Sequence, residues 1–300
     1  MCDNFKYPQP LNPGDKIAIV SPAGIVNPDF VCAATRVLTS EGWSPYISKH
    51  ALGKHGSFSG SIAHRLEDIA NAFLDTDTRA ILCSRGGYGA VHLLESLSGL
   101  PLERDPKWLI GFSDISVLHA LMSSKGIVSI HAPMAKHLAN ENGADIYSQQ
   151  LFEILRGNRP QYNWESHALN KYGAVSGQLA GGNLAVLQAL INTPYDVFRK
   201  DIILFIEDIG EPIYKVQRML YQLKLSGVLQ SLKGLIVGQF TKYQSDANFT
   251  DMETMISLLV APYNFPVAFN APIGHVNNNI PLVVGSKISL FVSETRTTLQ

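Results

Sequence analysis

The pattern of hydrophobic and polar residues in the first half of the chain predicts strands that alternate with amphipathic helices. Lys16 to Val20 is an apolar run of strand length, and apolar residues at helical spacing follow over residues 28–39, before Gly42. The later predicted elements are a helix with Leu66, Ile69, Ala70, Phe73 and Leu74 on one face, a strand over 80–83, a helix after the glycine-rich residues 85–89, a strand over 108–110, a helix with Ile115, Leu118 and Met122, and a strand over 127–130. Such alternation is typical of a mainly parallel sheet with helices on both faces.

The second half of the chain is also a mixture of strands and helices. Apolar periodicity lapses between residues 157 and 172, as is typical of an interdomain linker. We therefore predict one domain over residues 1–156 and another over 173–300, both of the α/β class. The predicted elements of the second domain are a strand over 174–180, a turn at Gly181-Gly182-Asn183, a helix over 184–191, a strand over 202–206, a helix from Pro212 to Gly227, a strand over 235–237 and β-like segments over 267–269 and 282–290.

Composition narrows the class of protein and its partners. The 300 residues are 46% hydrophobic and 16% charged, as expected of a soluble globular protein of about two domains. The chain has 24 Lys and Arg residues against 25 Asp and Glu residues, which gives a net charge of -1. It also has no run of basic residues that could bind the phosphates of a nucleic acid, so we expect no nucleic-acid partner. Residues 1–14 lack the layout of a secretory signal, and no apolar stretch reaches the ~20 residues of a membrane span, so we expect a cytoplasmic protein. Cys2, Cys32 and Cys83 form no CxxC pair, which argues against disulfides and a zinc cluster.

Ser113 follows a predicted buried strand and opens a predicted helix. A tight turn there exposes the hydroxyl, and the amino end of the helix offers backbone N–H donors to a developing oxyanion, as a nucleophilic serine needs. The simpler explanation is that Ser113 or Asp114 caps the helix, because the segment Gly111-Phe112-Ser113-Asp114-Ile115 lacks the last glycine of the G-x-S-x-G motif. The local pattern leaves both interpretations open.

Glu207 and His275 are candidates for an acid and a base. Glu207 closes an apolar strand, and the carboxyl ends of strands border the ligand crevice in open α/β sheets. It could orient a histidine, or it could be an exposed acid at the start of a loop, since Asp208 and Glu211 lie nearby. His275 lies in a loop of Gly and Asn residues, where a histidine is often exposed and without function.

The glycine-rich residues 86–89 stand between a strand and a helix, where glycine lets backbone amides approach a ligand. They could bind phosphate, complete an oxyanion hole or simply form a tight turn. The segment does not match the G-x-G-x-x-G motif of dinucleotide-binding proteins, because the sixth residue counted from Gly87 is His92 and not glycine. The chain also contains neither the lysine motif of a P-loop nor the H-E-x-x-H motif of zinc peptidases. We therefore expect no cofactor. The other histidines stand at no recognisable metal-ligand spacing, which predicts no catalytic metal: His64, His92, His119, His131 and His137.

Several motifs together resemble the LD-carboxypeptidase family, the muramoyltetrapeptide carboxypeptidases, a group of serine peptidases that also includes microcin-immunity peptidases. The matching segments, in order, are Gly14-Asp15-Lys16-Ile17, Ser21-Pro22-Ala23, Arg85-Gly86-Gly87-Tyr88-Gly89, Gly111-Phe112-Ser113-Asp114, Gly181-Gly182-Asn183, Glu207-Asp208, Gly274-His275 and Ile280-Pro281. The resemblance implies a flavodoxin-like parallel-sheet domain, then a β-rich α/β domain, and a homodimer. It implies that Ser113 is the nucleophile, Glu207 the acid and His275 the base, with an oxyanion hole formed by the N–H groups of Gly87 and Asp114. Ser116 departs from the threonine of many relatives.

The resemblance implies a serine carboxypeptidase that releases terminal D-alanine from murein tetrapeptides during cell-wall recycling. Its substrate is then a muropeptide, whose diamino acid the sequence does not define. Arg85, beside the glycines, is our candidate for binding the free carboxylate, since guanidinium pairs with carboxylate through two hydrogen bonds. Two alternatives stay open. One is a self-immunity peptidase that cleaves a peptide-nucleotide antibiotic, for which Tyr172, Tyr195 and Phe198 are ambiguous stacking residues. The other is a non-catalytic two-domain protein that binds a small molecule.

Overall fold

The structure is a computed structural model that describes residues 5–300. Its strands are β1 (Lys16–Val20), β2 (Ser44–Ile47), β3 (Thr78–Cys83), β4 (Trp108–Gly111), β5 (Ser129–His131), β6 (Tyr162–Glu165), β7 (Gly173–Asn183), β8 (Ile202–Ile209), β9 (Gly234–Thr241), β10 (Val267–Ala268), β11 (Leu282–Val284), β12 (Lys287–Val292) and β13 (Arg296–Leu299). Its α-helices are α1 (Pro28–Ser40), α2 (Ile62–Leu74), α3 (Leu94–Ser98), α4 (Ser116–Ser124), α5 (Ala135–Asn140), α6 (Ile146–Leu155), α7 (Leu184–Gln188), α8 (Ile213–Leu225) and α9 (Met252–Val260). Short 3-10 helices occur at Ala90–Leu93, Ser113–Ile115 and Leu229–Ser231.

The chain divides into two compact units. The first unit contains the residues up to Pro160 together with Ile280–Gly285, and the second contains Gln161–Asn279 and Ser286–Gln300. The segment 157–172, which the sequence suggests as a linker, contains β6, and β6 pairs with β13 in an antiparallel manner. Strand β6 has the sequence Tyr162-Asn163-Trp164-Glu165, in which aromatic and polar residues alternate, so it leaves no apolar run in the sequence.

The first unit is built on a sheet with the strand order β2-β1-β3-β4-β5-β11. The strands from β2 to β5 are parallel, and β11 joins the edge antiparallel to β5. This order is that of flavodoxin-like folds and confirms the predicted class of the first domain. Strand β4 is buried throughout and β1 is buried from its second residue, as expected for apolar runs in a covered parallel sheet.

The second unit is built on a sheet with the strand order β10-β9-β8-β7-β12-β13-β6. Strands β10, β9, β8 and β7 are parallel neighbours, whereas β7, β12, β13 and β6 pair antiparallel. Helices α7, α8 and α9 belong to the same unit. This mixed sheet confirms the predicted β-rich α/β class of the second domain.

Two features of the backbone differ from the predicted elements. Gly181-Gly182-Asn183 is not a turn, because β7 continues to Asn183 and pairs with β8 along its whole end. A Cβ on Gly181 would collide with the carbonyl of Phe205, so glycine here permits close strand approach, with a φ of 148°. The β-like segment 282–290 is split at Gly285, whose φ of 88° separates β11 from β12. The two strands join different sheets.

Two further observations concern cysteines and membrane helices. Cys32 is exposed and Cys83 is buried, and both are free thiols, while Cys2 lies outside the described residues. Among residues 5–300, the structure has no helix with the length and apolar character needed to cross a bilayer.

Candidate active site

The segments that follow β1, β3 and β4 meet at the carboxyl edge of the first sheet. This is the ligand-binding edge of open α/β sheets, and β1 and β3 flank the point where the strand order reverses. Gly24 donates its N–H to the carbonyl of Gly86 at 3.0 Å. The buried hydroxyls of Ser21 and Ser84 lie 2.6 Å apart. These contacts fix the segment after β1 against the segment after β3.

Ser113 lies in a tight turn between β4 and α4, which we call the serine turn (residues 112–115). Its φ is 66°, a left-handed conformation that is uncommon for a residue other than glycine and that clusters at functional sites. The interpretation of Ser113 or Asp114 as a helix cap is wrong. Phe112 is the N-cap of the 3-10 helix and Ile115 is the N-cap of α4, and neither helix has a side-chain capping hydrogen bond. The carboxylate of Asp114 instead accepts the N–H of Ala90 at 2.9 Å.

The glycine turn (residues 86–89) packs directly against the serine turn. A Cβ on Gly86 would lie 2.8 Å from the Cβ and 2.9 Å from the Oγ of Ser113, and 3.2 Å from the backbone nitrogen of Asp114. Gly87 has a φ of 112°, and a Cβ there would lie 3.2 Å from the Cα of Gly24. Glycine at position 86 thus lets this backbone approach the serine, and glycine at position 87 lets it approach Gly24 after β1.

His119 supports the strand end that precedes the serine turn. Its Nε2 donates to the carbonyl of Gly111 at 2.8 Å, so its Nδ1 accepts from the hydroxyl of Ser129, also at 2.8 Å. The ring is buried, and this desolvation lowers the pKa of His119 to about 4. The imidazole is therefore neutral at pH 7 and holds β4, β5 and α4 together.

We expect His119 to make the protein sensitive to acid. Since the folded pKa lies below the unfolded value of about 6.5, the contribution of His119 to stability is present above pH 6.5 and is lost as the pH falls towards 4. The shift corresponds to about 3 kcal/mol of unfolding free energy. Denaturant unfolding at pH 7 and pH 4.5 should show a smaller pH-dependent loss in His119→Gln than in the wild type and in the exposed control His55→Gln. An equal loss in all three proteins would reject this role.

In the second unit, Glu207 and His275 form a close pair. The Nδ1 of His275 donates to the Oε2 of Glu207 at 2.8 Å. The side chain of Glu207 is fully buried and that of His275 is 17% exposed, so the interpretation of Glu207 as an exposed acid is wrong. Strand β9 places an extra residue opposite Glu207, at a register shift between Ile206 and Asp208. Bulges of this kind re-aim side chains near functional sites.

Gly274 allows the backbone to pass against Glu207. It has a φ of 116°, and a Cβ there would lie 2.8 Å from the Oε2 of Glu207. Its N–H donates to the Oδ1 of Asn279 at 2.9 Å, and Asn279 is buried. Within residues 5–300, the other oxygen of Glu207 and the Nδ2 of Asn279 are buried without a hydrogen-bond partner. Asn279 escaped the sequence analysis because it is one of three consecutive asparagines, 277–279.

Asp208 lies next to Glu207 on the strand, and its side chain holds other groups. It accepts hydrogen bonds from the Nδ2 of Asn183 and from the N–H groups of Ala185 and Ile209, at 2.8–2.9 Å. Burial, with a further contribution from the Glu207 charge, raises the pKa of Asp208 to about 6. Asp208 thereby ties the end of β7 and the start of α7 to the strand that carries Glu207.

The predicted residues fall into one group in each unit. Ser113, Asp114, Gly87 and Arg85 lie in the first unit, and Glu207 and His275 lie in the second. Arg85 is exposed beside the glycine turn, where its Nη1 donates to the carbonyl of Ile25 at 2.5 Å. In the part of the chain that the structure describes, no three His, Cys, Asp or Glu residues are grouped to hold a metal ion.

Arg65 is a further residue that the sequence analysis missed. It is 2% exposed and lies on the buried face of α2 with Ile69 and Phe73. Arg65 precedes Ile69 by four residues and Phe73 by eight, which places it on the same face of the helix as these apolar residues. A basic residue at this spacing is the sequence signal that indicates a buried arginine.

Comparisons with known proteins identify the family of the chain. The family model described as the LD-carboxypeptidase N-terminal domain matches residues 17–132, and the C-terminal domain of the same family matches residues 176–290. The murein tetrapeptide carboxypeptidase of Pseudomonas aeruginosa is 31% identical over 284 residues, which cover 90% of this chain and 91% of the relative.

Solved structures share the fold over nearly the whole chain. The muramoyltetrapeptide carboxypeptidase from Oxalobacter formigenes superposes with a TM-score of 0.84 at 29% identity, covering 95% of this chain and 97% of that one. The microcin C7 self immunity protein MccF gives a TM-score of 0.85 at 20% identity, with 97% of each chain covered, and this likeness concerns the fold alone. By its domain matches and its curated relative, the chain belongs to the LD-carboxypeptidase family.

Proposed function

We propose that this protein is a serine LD-carboxypeptidase that hydrolyses an L,D-peptide bond and releases the terminal D-alanine of murein tetrapeptides. The observation that carries the proposal is the bond between the Nδ1 of His275 and the buried carboxylate of Glu207. A carboxylate on Nδ1 fixes the tautomer in which Nε2 carries no proton, as a general base requires. The left-handed serine turn supports Ser113 as the nucleophile, and the names of the relatives support the substrate class.

The proposed reaction has two stages. His275 takes the proton of the Ser113 hydroxyl as its oxygen attacks the carbonyl carbon, and the N–H groups of Gly87 and Asp114 stabilise the oxyanion. When the C–N bond breaks, His275 returns the proton to the leaving amine of D-alanine. His275 then takes a proton from water, whose oxygen attacks the acyl carbon. When the bond between that carbon and the Oγ of Ser113 breaks, His275 returns the proton to the Oγ. Glu207 stabilises the imidazolium in both stages, and its carboxylate remains ionised throughout.

The test uses three substrates with the purified protein. They are a murein tetrapeptide, the same peptide ending in L-alanine, and an aminoacyl-nucleotide analogue. We expect D-alanine, detected with D-amino acid oxidase, from the first substrate and no product from the second. Release of nucleotide without D-alanine would favour the self-immunity peptidase. Binding without any product would favour a non-catalytic binding protein.

The proposal also includes the setting in which the enzyme works. Following the family resemblance, we propose a homodimer in the cytoplasm that acts in the recycling of cell-wall peptides. Light scattering coupled to gel filtration tests the dimer, for which a mass of twice 32.8 kDa is expected. A mass of one chain at assay concentrations would contradict the dimer and leave the reaction untouched.

We propose that Arg85 binds the free carboxylate of the substrate. Its exposed guanidinium, held beside the glycine turn by the carbonyl of Ile25, keeps donors for a second partner. Arg85→Gln should raise KM about 10-fold and leave kcat nearly unchanged, since a bond to a charged group contributes about 1.5–3 kcal/mol. Steady-state kinetics with Arg36→Gln, an exposed arginine on α1, as the control check this. An unchanged KM in Arg85→Gln would remove Arg85 from the carboxylate site.

Gly86→Ala should lower kcat because the added methyl group clashes with Ser113. The added methyl would lie 2.9 Å from the Oγ of Ser113 and force that side chain to move. A displacement of about 1 Å costs about 10²-fold in rate, so we expect kcat to fall by that factor. Gly99→Ala is the matched control, because its methyl would meet only the carbonyl of Ser96 at 3.7 Å. Equal kcat values for the two variants would contradict the packing of Gly86 on the serine.

A further inference from the structure

Arg65 is a buried cation whose two shortest hydrogen bonds go to backbone carbonyls. Within residues 5–300 it forms no salt bridge with a carboxylate. Burying a guanidinium is costly unless its donors find acceptors. Its Nη1 donates to the carbonyls of Pro22 at 2.6 Å and Gly89 at 2.8 Å, and its Nη2 lies 3.3 Å from the Nδ1 of His92. Arg65 therefore links the segment after β1 to the glycine turn after β3.

The ring of Phe58 packs against the guanidinium of Arg65. The Cζ of Arg65 lies 5.0 Å from the centroid of that ring, in a cation–π contact. His92 packs edge-on against the same ring, with centroids 5.6 Å apart. This aromatic contact adds to the hydrogen bonds that hold the cation in place.

Asp114 holds the other side of the same peptide group. Its Oδ2 accepts the N–H of Ala90 at 2.9 Å, while Arg65 binds the carbonyl of Gly89. That carbonyl and that N–H belong to one planar peptide unit. A cation lies at the negative end of the peptide dipole and an anion at its positive end. Asp114 is 4% exposed, so water screens neither bond strongly.

The glycine turn needs such support. Gly87 and Gly89 have φ values of 112° and 121°, and glycine gives the backbone little conformational preference of its own. We propose that Arg65 and Asp114 clamp the Gly89–Ala90 peptide and are positioning residues that hold the N–H of Gly87 in place for the oxyanion. The catalytic consequence rests on the proposed function, and the clamp itself does not.

The test compares Arg65→Gln and Arg65→Lys with Arg79→Gln. Arg79 is the matched control because its guanidinium also donates to a backbone carbonyl, that of Thr76 at 2.7 Å, near the start of β3. We expect Arg65→Gln to lower kcat about 10- to 100-fold with little change in KM, which is less than the 10²–10³-fold lost with an oxyanion donor. Lysine can reach one of the two carbonyls and should recover part of the loss. Arg79→Gln should keep the wild-type kcat.

A second readout is independent of activity. Amide hydrogen exchange over residues 84–92 should become faster in Arg65→Gln and stay unchanged in Arg79→Gln. If Arg65→Gln does not fold, the double variant Arg65→Gln/Asp114→Asn takes its place in both measurements, because it leaves no unpaired charge and replaces the two charged hydrogen bonds with weaker neutral ones. The same direction of change is expected for kcat and for exchange. Wild-type kcat and wild-type exchange in a folded variant would overturn the clamp. If the wild type hydrolyses no peptide, the proposed function fails, and exchange alone still decides the clamp.

Discussion

Replacing Ser113 with alanine should lower kcat for D-alanine release by about 10⁴-fold or more, the scale of loss when a triad member is removed. The hydroxyl supplies the atom that attacks the carbonyl, and no other group in the proposed reaction can take its place. The fold should persist, because alanine meets the left-handed φ of 66° with the same backbone restriction as serine. The measurement is D-alanine release at saturating tetrapeptide, with unfolding followed by circular dichroism.

A matched control for this variant lies at the far end of the next helix. Ser124→Ala removes a hydroxyl that donates to the carbonyl of Leu121, a local bond of α4. It should keep kcat within about twofold of the wild type, as is usual for changes away from an active site. Substantial activity in Ser113→Ala, at wild-type stability, would exclude Ser113 as the nucleophile and leave the family assignment standing.

Strands β1, β3 and β4 of the first unit were predictable because burial on both faces demands apolar runs. The parallel edge strand β2, which has no fully buried residue, was not predicted. Lys16–Val20 has the predicted bounds, and β3 and β4 extend the predicted strands by one or two residues. The C-terminal part of β7 was not predictable, because Gly181 and Gly182 carry the local signature of a turn. What decides the outcome there is the close approach of Phe205 from the neighbouring strand, a contact between residues far apart in sequence.

In helix α2, two buried charged residues shift the buried face away from the one that the hydrophobic pattern predicts. The predicted face contains Leu66 and Leu74, yet Leu74 is 52% exposed, while Arg65 and Asp68 are buried. Each buried charge bonds to backbone: Arg65 to carbonyls, and Asp68 to the N–H of His50 at 2.9 Å. Because such partners come from other segments, the pattern within the helix places its buried face about one residue away from the true one.

The candidate site was predictable only in part for a similar reason. Local patterns left Ser113 and Glu207 each with a structural explanation, and the order of the motifs, through the family resemblance, gave them roles. The pairing of Glu207 with His275 joins residues 68 positions apart, so no local pattern could reveal it. The supports around the site, Arg65, Asp208 and Asn279, act through backbone groups. Of the three, Arg65 has a signal in the sequence, its helical spacing from Ile69 and Phe73.

Glu207→Gln should lower kcat by about 10³- to 10⁴-fold and leave the protein as stable as the wild type, or more so. The amide of glutamine can donate to the Nδ1 of His275, which would put the ring proton on Nε2 and remove the base. Stability should not suffer, because Glu207 is a fully buried carboxylate whose second oxygen, within residues 5–300, has no hydrogen-bond partner.

Glu211→Gln is the control for this last experiment, because Glu211 is an acid of the same segment that pairs with Lys215 at the surface, at 2.7 Å. Its kcat and its unfolding free energy should both stay near the wild-type values. Kinetics and denaturant unfolding on the three proteins separate a catalytic loss from a structural one. A Glu207→Gln enzyme with more than about a tenth of the wild-type kcat would show that tautomer control by Glu207 is not needed, since the loss expected on removing it is far larger. A variant that loses activity only in proportion to its unfolding would instead give Glu207 a structural role, and the triad would lose its acid.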